Sequence, residues 1–449
     1  MASVRPAAVA GMFYPGDARA LAAEVEDLLG GVAQPLPRLG YPKALVVPHA
    51  GYIYSGPVAA RAYDELAAAR GSVRRVVLLG PTHRVAVRGL AVPSAAAFAT
   101  PLGAVPIDTE ALRAVSDLPQ VVTSDPAHAL EHSLEVQLPF LQKMLGEFKL
   151  APFAVGRASV PEVAEVIERL WGGPETLIVI STDLSHYHSY DQARAIDGAT
   201  IARIAGFATD IDHEEACGAT PLNGLLQFSK QRNLSLKLLA ACNSGDTAGG
   251  KGQVVGYSSF GLYEGGEVSL DDAGRTLLTL ARGAIEAKLT GKAAAAESKR
   301  WLGQCGATFV TLTKAGELRG CIGSLEPARA LADDVAQNAL GAAFRDPRFA
   351  PMSAQEWPQC RVEVSLLSTP KPLRFADEAD LLAQIEAGED GLIIECDGRR
   401  GTFLPQVWED LPDKRVFLAH LLRKAGLPAD TRLTRCRLWR YRVAKWKES

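Results

Sequence analysis

Imidazoles and carboxylates recur just beyond short apolar, β-branched runs. Pro48-His49-Ala50-Gly51-Tyr52 follows residues 44–47, and Gly80-Pro81-Thr82-His83 follows 75–79. Ser181-Thr182-Asp183-Leu184-Ser185-His186-Tyr187-His188 follows 176–180, and Cys242-Asn243-Ser244-Gly245-Asp246 follows 234–241. If the runs are neighbouring strands of an open α/β sheet, ligands collect beyond their carboxyl ends, and these side chains share one rim. Glu131-His132, at the start of a helical stretch, adds another pair. Seven of the eight histidines precede residue 265, which favours a shared site over independent placement. His49 and His83 with one carboxylate suit non-haem Fe(II), which leaves coordination positions open. Zinc accepts the same nitrogen and oxygen donors. Around such a centre His132 or His186 moves protons near neutral pH, and Asp183 orients His186 or acts as base. Tyr52 and Tyr54 line a substrate mouth, while Cys217 reads as a buried residue at a helix end. No serine-histidine-aspartate order, P-loop or GxGxxG stands out.

The elements that must position these groups alternate. Between the strand runs lie helical stretches at 18–29, 57–69, 134–145, 160–171 and 191–204, which predicts a mainly parallel or mixed sheet flanked by helices. A hairpin-like insertion at 89–107 interrupts the pattern. The clearest seam is Tyr263-Glu264-Gly265-Gly266-Glu267. Ser269 and Asp272 after it make a capping-box start, followed by Leu270, Ala273, Leu277, Leu280, Ala281, Ala284 and Ile285 at helical spacing. The domains are therefore placed at 1–264 and 268–449. The second has α+β texture: runs 308–313 and 317–322 flank Lys314-Ala315-Gly316, and 391–395 and 399–404 flank Asp397-Gly398, as antiparallel hairpins do. Helices are expected at 328–343 and 416–425. The alanine run 293–296 reads as a helix flank or loop, and residues 435–443 as a solvated, half-buried edge strand.

A length of 449 residues exceeds what one core usually organises. A net charge of −3, with no dominant basic or acidic block, does not ask for nucleic acid or an anionic membrane. No apolar stretch approaches the roughly 20 residues of a membrane span. Seven scattered cysteines without a CxxC pair suggest a reducing compartment, and the chain reads as cytoplasmic.

The motifs around His49, His83, Glu131-His132-Ser133-Leu134-Glu135, Asp183 to His186 and Asn243 to Asp246 resemble the Memo family over residues 5–262. Members of that family are similar in fold to class III extradiol dioxygenases, whose iron is held by two histidines and a carboxylate. The resemblance implies that His49 and His83 are metal ligands, with Asp183 and His186 lining the same pocket; Cys217-Gly218 also matches. Animal members supply a cysteine as third ligand, whereas the matching stretch here holds Asp246 and Thr247, with Cys242 four residues earlier. Asp246 is accordingly assigned the third place, and Cys242 is the lesser alternative. Carboxylate in place of thiolate weakens copper(I) binding and favours iron or manganese. The expected cofactor is thus Fe(II), with zinc or copper as alternatives.

Residues 269–447 resemble the AMMECR family, on Leu318-Arg319-Gly320-Cys321-Ile322-Gly323, Phe344-Arg345-Asp346-Pro347-Arg348-Phe349, Val362-Glu363-Val364-Ser365 and Gly401-Thr402-Phe403-Leu404-Pro405-Gln406-Val407-Trp408. Arg319 and Cys321 share a strand face at period two, which places a guanidinium beside a thiol; the alternative is that Cys321 is a small buried residue among glycines that permit close packing. Families of this pair are associated with a radical S-adenosylmethionine enzyme, so such a partner is implied. The expected protein is metal-dependent and modifies a small organic substrate by oxygenase-like or other redox chemistry. The alternative is a non-catalytic protein that binds metal and docks a partner.

Overall fold

Every residue of β1 (Ala44–Val47) and of the strand Thr176–Ser181 is buried, as parallel strands covered on both faces require. The computed structural model describes residues 3–32, 37, 39–265, 268–292 and 299–448. The chain divides into two compact units, Met1–Val32 with Tyr41–Glu267, and Ala33–Gly40 with Val268–Ser449. Gly266 and Glu267 of the seam and the alanine run 293–296 lie outside the described residues.

After β1 the sheet of the first unit contains β2 (Arg75–Pro81), β3 (Leu90–Val92), β4 (Val121–Thr123), β5 (Lys149–Val155), β6 (Thr176–Ser181), β7 (His186–His188), β8 (Ser235–Asn243) and β9 (Val254–Tyr263). Their order is β7-β9-β1-β6-β2-β5-β3-β4, with β8 also paired to β9. The sheet is mixed. β1, β6, β2 and β5 run parallel, with Leu45 opposite Val179 and Leu79 opposite Ile180, whereas β9 is antiparallel to β1, β7 and β8. Alternate residues of the parallel strands feed two cores. Leu45, Val47, Leu78 and Val179 pack toward Leu21, Tyr52, Tyr63 and Phe140, and Ala44, Val46, Leu79 and Ile180 toward Val163, Ile167, Leu222 and Leu225. Helices therefore cover both faces, and the ends of β1, β2 and β6 open at one rim.

Several local expectations need correction. The helix expected at 57–69 is two elements, Tyr52–Tyr63 followed by a 3-10 turn Asp64–Ala69, so Pro57 lies inside a helix. β5 is absent from the sequence reading because Pro152 marks it as a poor strand. It is tolerated because, at that level, β5 pairs only with β2; β3 meets β5 at residues 154 and 155 alone. The helix Ala219–Gln231 is absent too, hidden by Pro221 and Gly224. Pro221 falls in the first turn, where its missing N–H costs nothing, and a Cβ at Gly224 would come within 2.3 Å of Val163 in the neighbouring helix. The insertion 89–107 contributes β3 and then a hairpin, Ala97–Thr100 with Gly103–Pro106, that also pairs with Val4–Arg5.

The second unit holds two four-stranded sheets. β10 (Thr308–Lys314), β11 (Glu317–Gly323), β12 (Cys360–Leu367), β13 (Lys371–Leu373), β14 (Gly391–Cys396), β15 (Arg399–Phe403), β16 (Arg437–Tyr441) and β17 (Val443–Lys447) order as β11-β10-β12-β17 and β13-β16-β14-β15, all antiparallel. The hairpin turns take positive φ at both central residues, 50° and 89° at Ala315-Gly316 and 51° and 74° at Asp397-Gly398, the mirror-image turns that match strand twist. Ser269 caps Leu270–Thr290 through the Asp272 amide, and Leu331–Phe344 packs on the first sheet. The expected edge strand at 435–443 is corrected: β16 lies between β13 and β14, because Leu438 and Tyr441 are core residues. Among the described residues no helix is long and apolar enough to cross a membrane.

Candidate metal centre

Three strand ends and one turn build the site. His49 stands two residues after β1, and its backbone N–H donates to Asp183 Oδ1 at 2.7 Å, so the turn after β6 braces the turn after β1. His83 stands two residues after β2, and its backbone N–H donates to Glu131 Oε2 at 2.7 Å. Glu131 also accepts at Oε1 from the backbone N–H groups of His132 and Ser133, each at 2.9 Å, so one buried carboxylate folds the turn that carries His132. The N-terminal segment holds that turn from behind. The buried Arg5 donates to the carbonyls of His128 and Glu131 and pairs with Glu135, which also accepts from the amides of Ala8 and Val9 and from Tyr14.

His49, His83 and His132 converge. Ring centroids are 5.2 Å apart for His49 and His83, 5.3 Å for His49 and His132, and 4.6 Å for His83 and His132. One nitrogen from each lies within 4.8 Å of the other two. Nitrogens bound to one ion at about 2.1 Å stand roughly 3–4 Å apart, so shifts under about 1 Å bring all three into bonding range. The donor set fits a divalent metal. Behind the rings, His83 Nδ1 meets Glu131 Oε1 at 2.9 Å and His49 Nδ1 meets Ser181 Oγ at 2.9 Å, which leaves Nε2 of both on the far side. Such outer partners are how proteins fix the orientation of ligating histidines.

The electrostatics suit neutral ligands. Burial first, then the neighbouring histidines, lowers His49 well below the ordinary histidine value. Burial lowers His132 to about 4. Glu131 is brought down to about 2: the bonds from His83 and from backbone amides outweigh its burial, so it is charged at any ordinary pH. Asp183 is pushed up to about 7, because burial outweighs the amides of His49 and Ala50.

The remaining candidates separate. Asp246 is not brought to the histidines. It is exposed, Oδ1 accepts from Tyr190 Oη at 2.5 Å, and Oδ2 accepts from the Asn243 amide at 3.0 Å, closing the turn after β8. In the cluster the place of the expected third ligand is taken by His132, a residue expected from sequence to carry protons. Cys242 is half-buried, and burial pushes its thiol up to about 11. Tyr52 is 1% exposed and donates to the Val136 carbonyl at 2.8 Å, so it belongs to the core rather than to a substrate mouth; Tyr54 is 38% exposed. His186 is half-buried, bonded to the Leu184 backbone and lowered by burial; Asp183 does not orient it. Cys217, read as a helix-end residue, does precede a helix, yet its Sγ lies 3.4 Å from His49 Nε2. Ser181, Gln137 and the bracing role of Glu131 escaped the sequence reading. Only the polar run Glu131-His132-Ser133 hinted at them.

In the second unit, Arg319 forks onto Glu356 through Nε at 2.8 Å and Nη2 at 3.0 Å, and Nη2 also donates to the Ala350 carbonyl at 2.7 Å. The Cys321 amide donates to Asp346 at 2.9 Å, and its thiol accepts from Thr311 at 3.3 Å. A Cβ at Gly320 would meet the Ala342 carbonyl at 2.2 Å, and one at Gly323 the Phe309 ring at 2.2 Å. At these two glycines β11 packs closely against Leu331–Phe344 and β10.

A family model described as Memo-like protein matches residues 5–261. The chain belongs to the Memo-like protein family. A second model, AMMECR1, matches residues 278–446 of this Memo-like chain. A MEMO1 family protein of Ignicoccus hospitalis is 36% identical over 284 residues, 57% of this chain and 97% of its own length. One from Aquifex aeolicus is 38% identical over 267 residues, again 57% and 97%. Among solved structures, the uncharacterized protein PH0010 from Pyrococcus horikoshii matches 39% of this chain and 91% of its own, with 35% identity and a TM-score of 0.36.

Proposed function

We propose that His49, His83 and His132 hold one divalent metal ion, and that this centre modifies a small organic molecule. The supporting observation is the convergence of three imidazoles, two of them held from behind at Nδ1. When bound, the ion supplies Lewis-acid or redox chemistry. His83 keeps 30% of its side chain exposed, which gives a small molecule access from solvent. His186, kept neutral by burial, accepts or returns a proton beside the ion. Tyr54 contributes the exposed aromatic wall. Oxygenase-like chemistry at Fe(II) is the reaction class carried over from the family resemblance. With Asp246 outside the cluster, however, three nitrogens suit Zn²⁺ as well as iron. A radical S-adenosylmethionine enzyme is the proposed partner, on the strength of the paired families alone.

Metal analysis of anaerobically purified protein tests the centre. The expected result is one ion per chain, lost in His49→Ala and in His83→Ala. Folded protein that takes up neither Fe(II) nor Zn²⁺ on titration overturns it. Oxygen consumption with catechol-like substrates tests turnover separately; metal binding without any consumption favours the non-catalytic metal-binding and docking alternative.

A further inference from the structure

The side-chain amide of Gln137 sits beneath the site, fully buried, with every polar atom assigned. Its Oε1 accepts from Tyr63 Oη at 2.8 Å, and its Nε2 lies 2.9 Å from the Pro48 carbonyl and 2.9 Å from Ser181 Oγ. A backbone carbonyl has no hydrogen to give, so the group facing Pro48 is the NH2 end, and its second hydrogen goes to Ser181. Ser181 Oγ lies 2.6 Å from the Ser133 carbonyl, which again can only accept, so the single hydroxyl hydrogen is spent there. Only an acceptor lone pair is left for His49 Nδ1, 2.9 Å away. His49 must therefore carry its hydrogen on Nδ1, and the lone pair lies on Nε2.

We propose that Gln137 and Ser181 are positioning residues that lock His49 in the Nδ1–H tautomer, presenting an unprotonated Nε2 to the metal. The neutral histidine side chain in water favours the opposite, Nε2–H form, so the fold enforces the minor tautomer. The surroundings of Nε2 agree. Asp183 Oδ2, the nearest carboxylate oxygen, is 4.0 Å away and beyond hydrogen-bond reach. Cys217 Sγ, at 3.4 Å, accepts from the Asp183 amide at 3.4 Å, and its S–H has two acceptors in reach, the Nε2 lone pair at 3.4 Å and the Asp183 carbonyl at 3.8 Å. The same Gln137 amide holds the carbonyl of Pro48, the residue preceding His49, so backbone and ring are set by one side chain. His83 reaches the same tautomer by a different means, a charged carboxylate at Nδ1.

The inference rests on the proposed metal centre for its purpose, but not for its test. Long-range ¹H–¹⁵N correlation spectra of ¹⁵N-histidine-labelled, metal-free full-length protein, with His49 assigned by difference against His49→Gln, report the tautomer directly. The expected result is a protonated Nδ1 and an unprotonated Nε2 at neutral pH. A His49 ring protonated on Nε2 overturns the inference, whatever the metal does. Ser181→Ala should restore the Nε2–H form and weaken Zn²⁺ binding about 10–100-fold by titration calorimetry. Gln137→Met, which keeps the volume, should give a mixture of tautomers. Folded Ser181→Ala with unchanged tautomer and affinity also overturns the inference. If the tautomer is as expected but wild-type protein binds no metal, the metal centre fails and the lock stands.

Discussion

The two motifs that stand out chemically in the sequence end in opposite conditions. Around His49, His83 and His132, partners are gathered on one side of the rings, and donor nitrogens are left facing one another. Around Arg319 and Cys321, the polar groups are turned into the fold. The guanidinium grips Glu356 and the Ala350 carbonyl, the Cys321 amide grips Asp346, Gly320 lets a helix backbone come close and Gly323 admits the Phe309 ring; of this motif's described side-chain nitrogens and oxygens only Arg319 Nη1 is buried without a hydrogen-bond partner. A ligand site differs from a packing motif in where its lone pairs point, and residue identity alone does not say which has been built.

The sharpest way to break this comparison is metal content. His132→Ala should abolish stoichiometric binding, while Asp246→Ala, Arg319→Ala and Cys321→Ala should leave it intact, as read by mass-spectrometric metal analysis. Loss of metal in Asp246→Ala with His132→Ala still loaded would restore the carboxylate and remove the tri-histidine set.

Acid should separate the two units next. His128 is buried, donates Nε2–H to the Ala91 carbonyl, and is lowered by burial to about 4 from 6.5. As pH falls below 6.5 the unfolded chain takes up a proton that the folded chain refuses. The stability present above that pH is therefore lost progressively down to about 4, and it amounts to roughly 3 kcal/mol. His49 and His132 shift in the same direction in metal-free protein. In the second unit the Arg348 guanidinium holds Asp346 far below the usual carboxylate range, so its contribution persists until pH drops below the ordinary aspartate value near 4. Hydrogen exchange of the metal-free chain should show β1, β2 and β6 losing protection at higher pH than β10 and β12. The reverse order would contradict the assignment of buried neutral histidines.

Gly320→Ala should cost about 1–3 kcal/mol by denaturant unfolding, because the new methyl meets the Ala342 backbone, and it should leave metal affinity unchanged. Glu131→Gln should do the opposite. It keeps an oxygen for His83 but removes the charge, so metal affinity should fall about 10–100-fold, equivalent to about 1.4–2.7 kcal/mol. An equal effect of Gly320→Ala on metal binding would dissolve the contrast.

Much of the scaffold was legible because its signals are local. β1 and the hairpin at Asp397-Gly398 follow from buried β-branched runs and from turn chemistry. β5 and the helix Ala219–Gln231 were not, because Pro152, Pro221 and Gly224 read as breakers until their neighbours are known. In the site, His49 and His83 were legible from their place after strands. His132 was harder, since its strand-end neighbours are distant in sequence and its turn is folded by Glu131, whose four bonds no spacing announces. Asp246 misled for the converse reason: it has the right type in the right stretch, but a tyrosine beyond the sequence window claims it.

The buried Arg5 has a practical consequence. It ties the segment that carries it to the carbonyls that frame the Glu131 turn, 123 and 126 residues away along the chain, and to the Glu135 carboxylate, 130 away. The segment around Arg5 is thus a remote handle on the proposed metal centre. A change at Arg5 is therefore expected to disturb the geometry of the proposed ligands from outside the site.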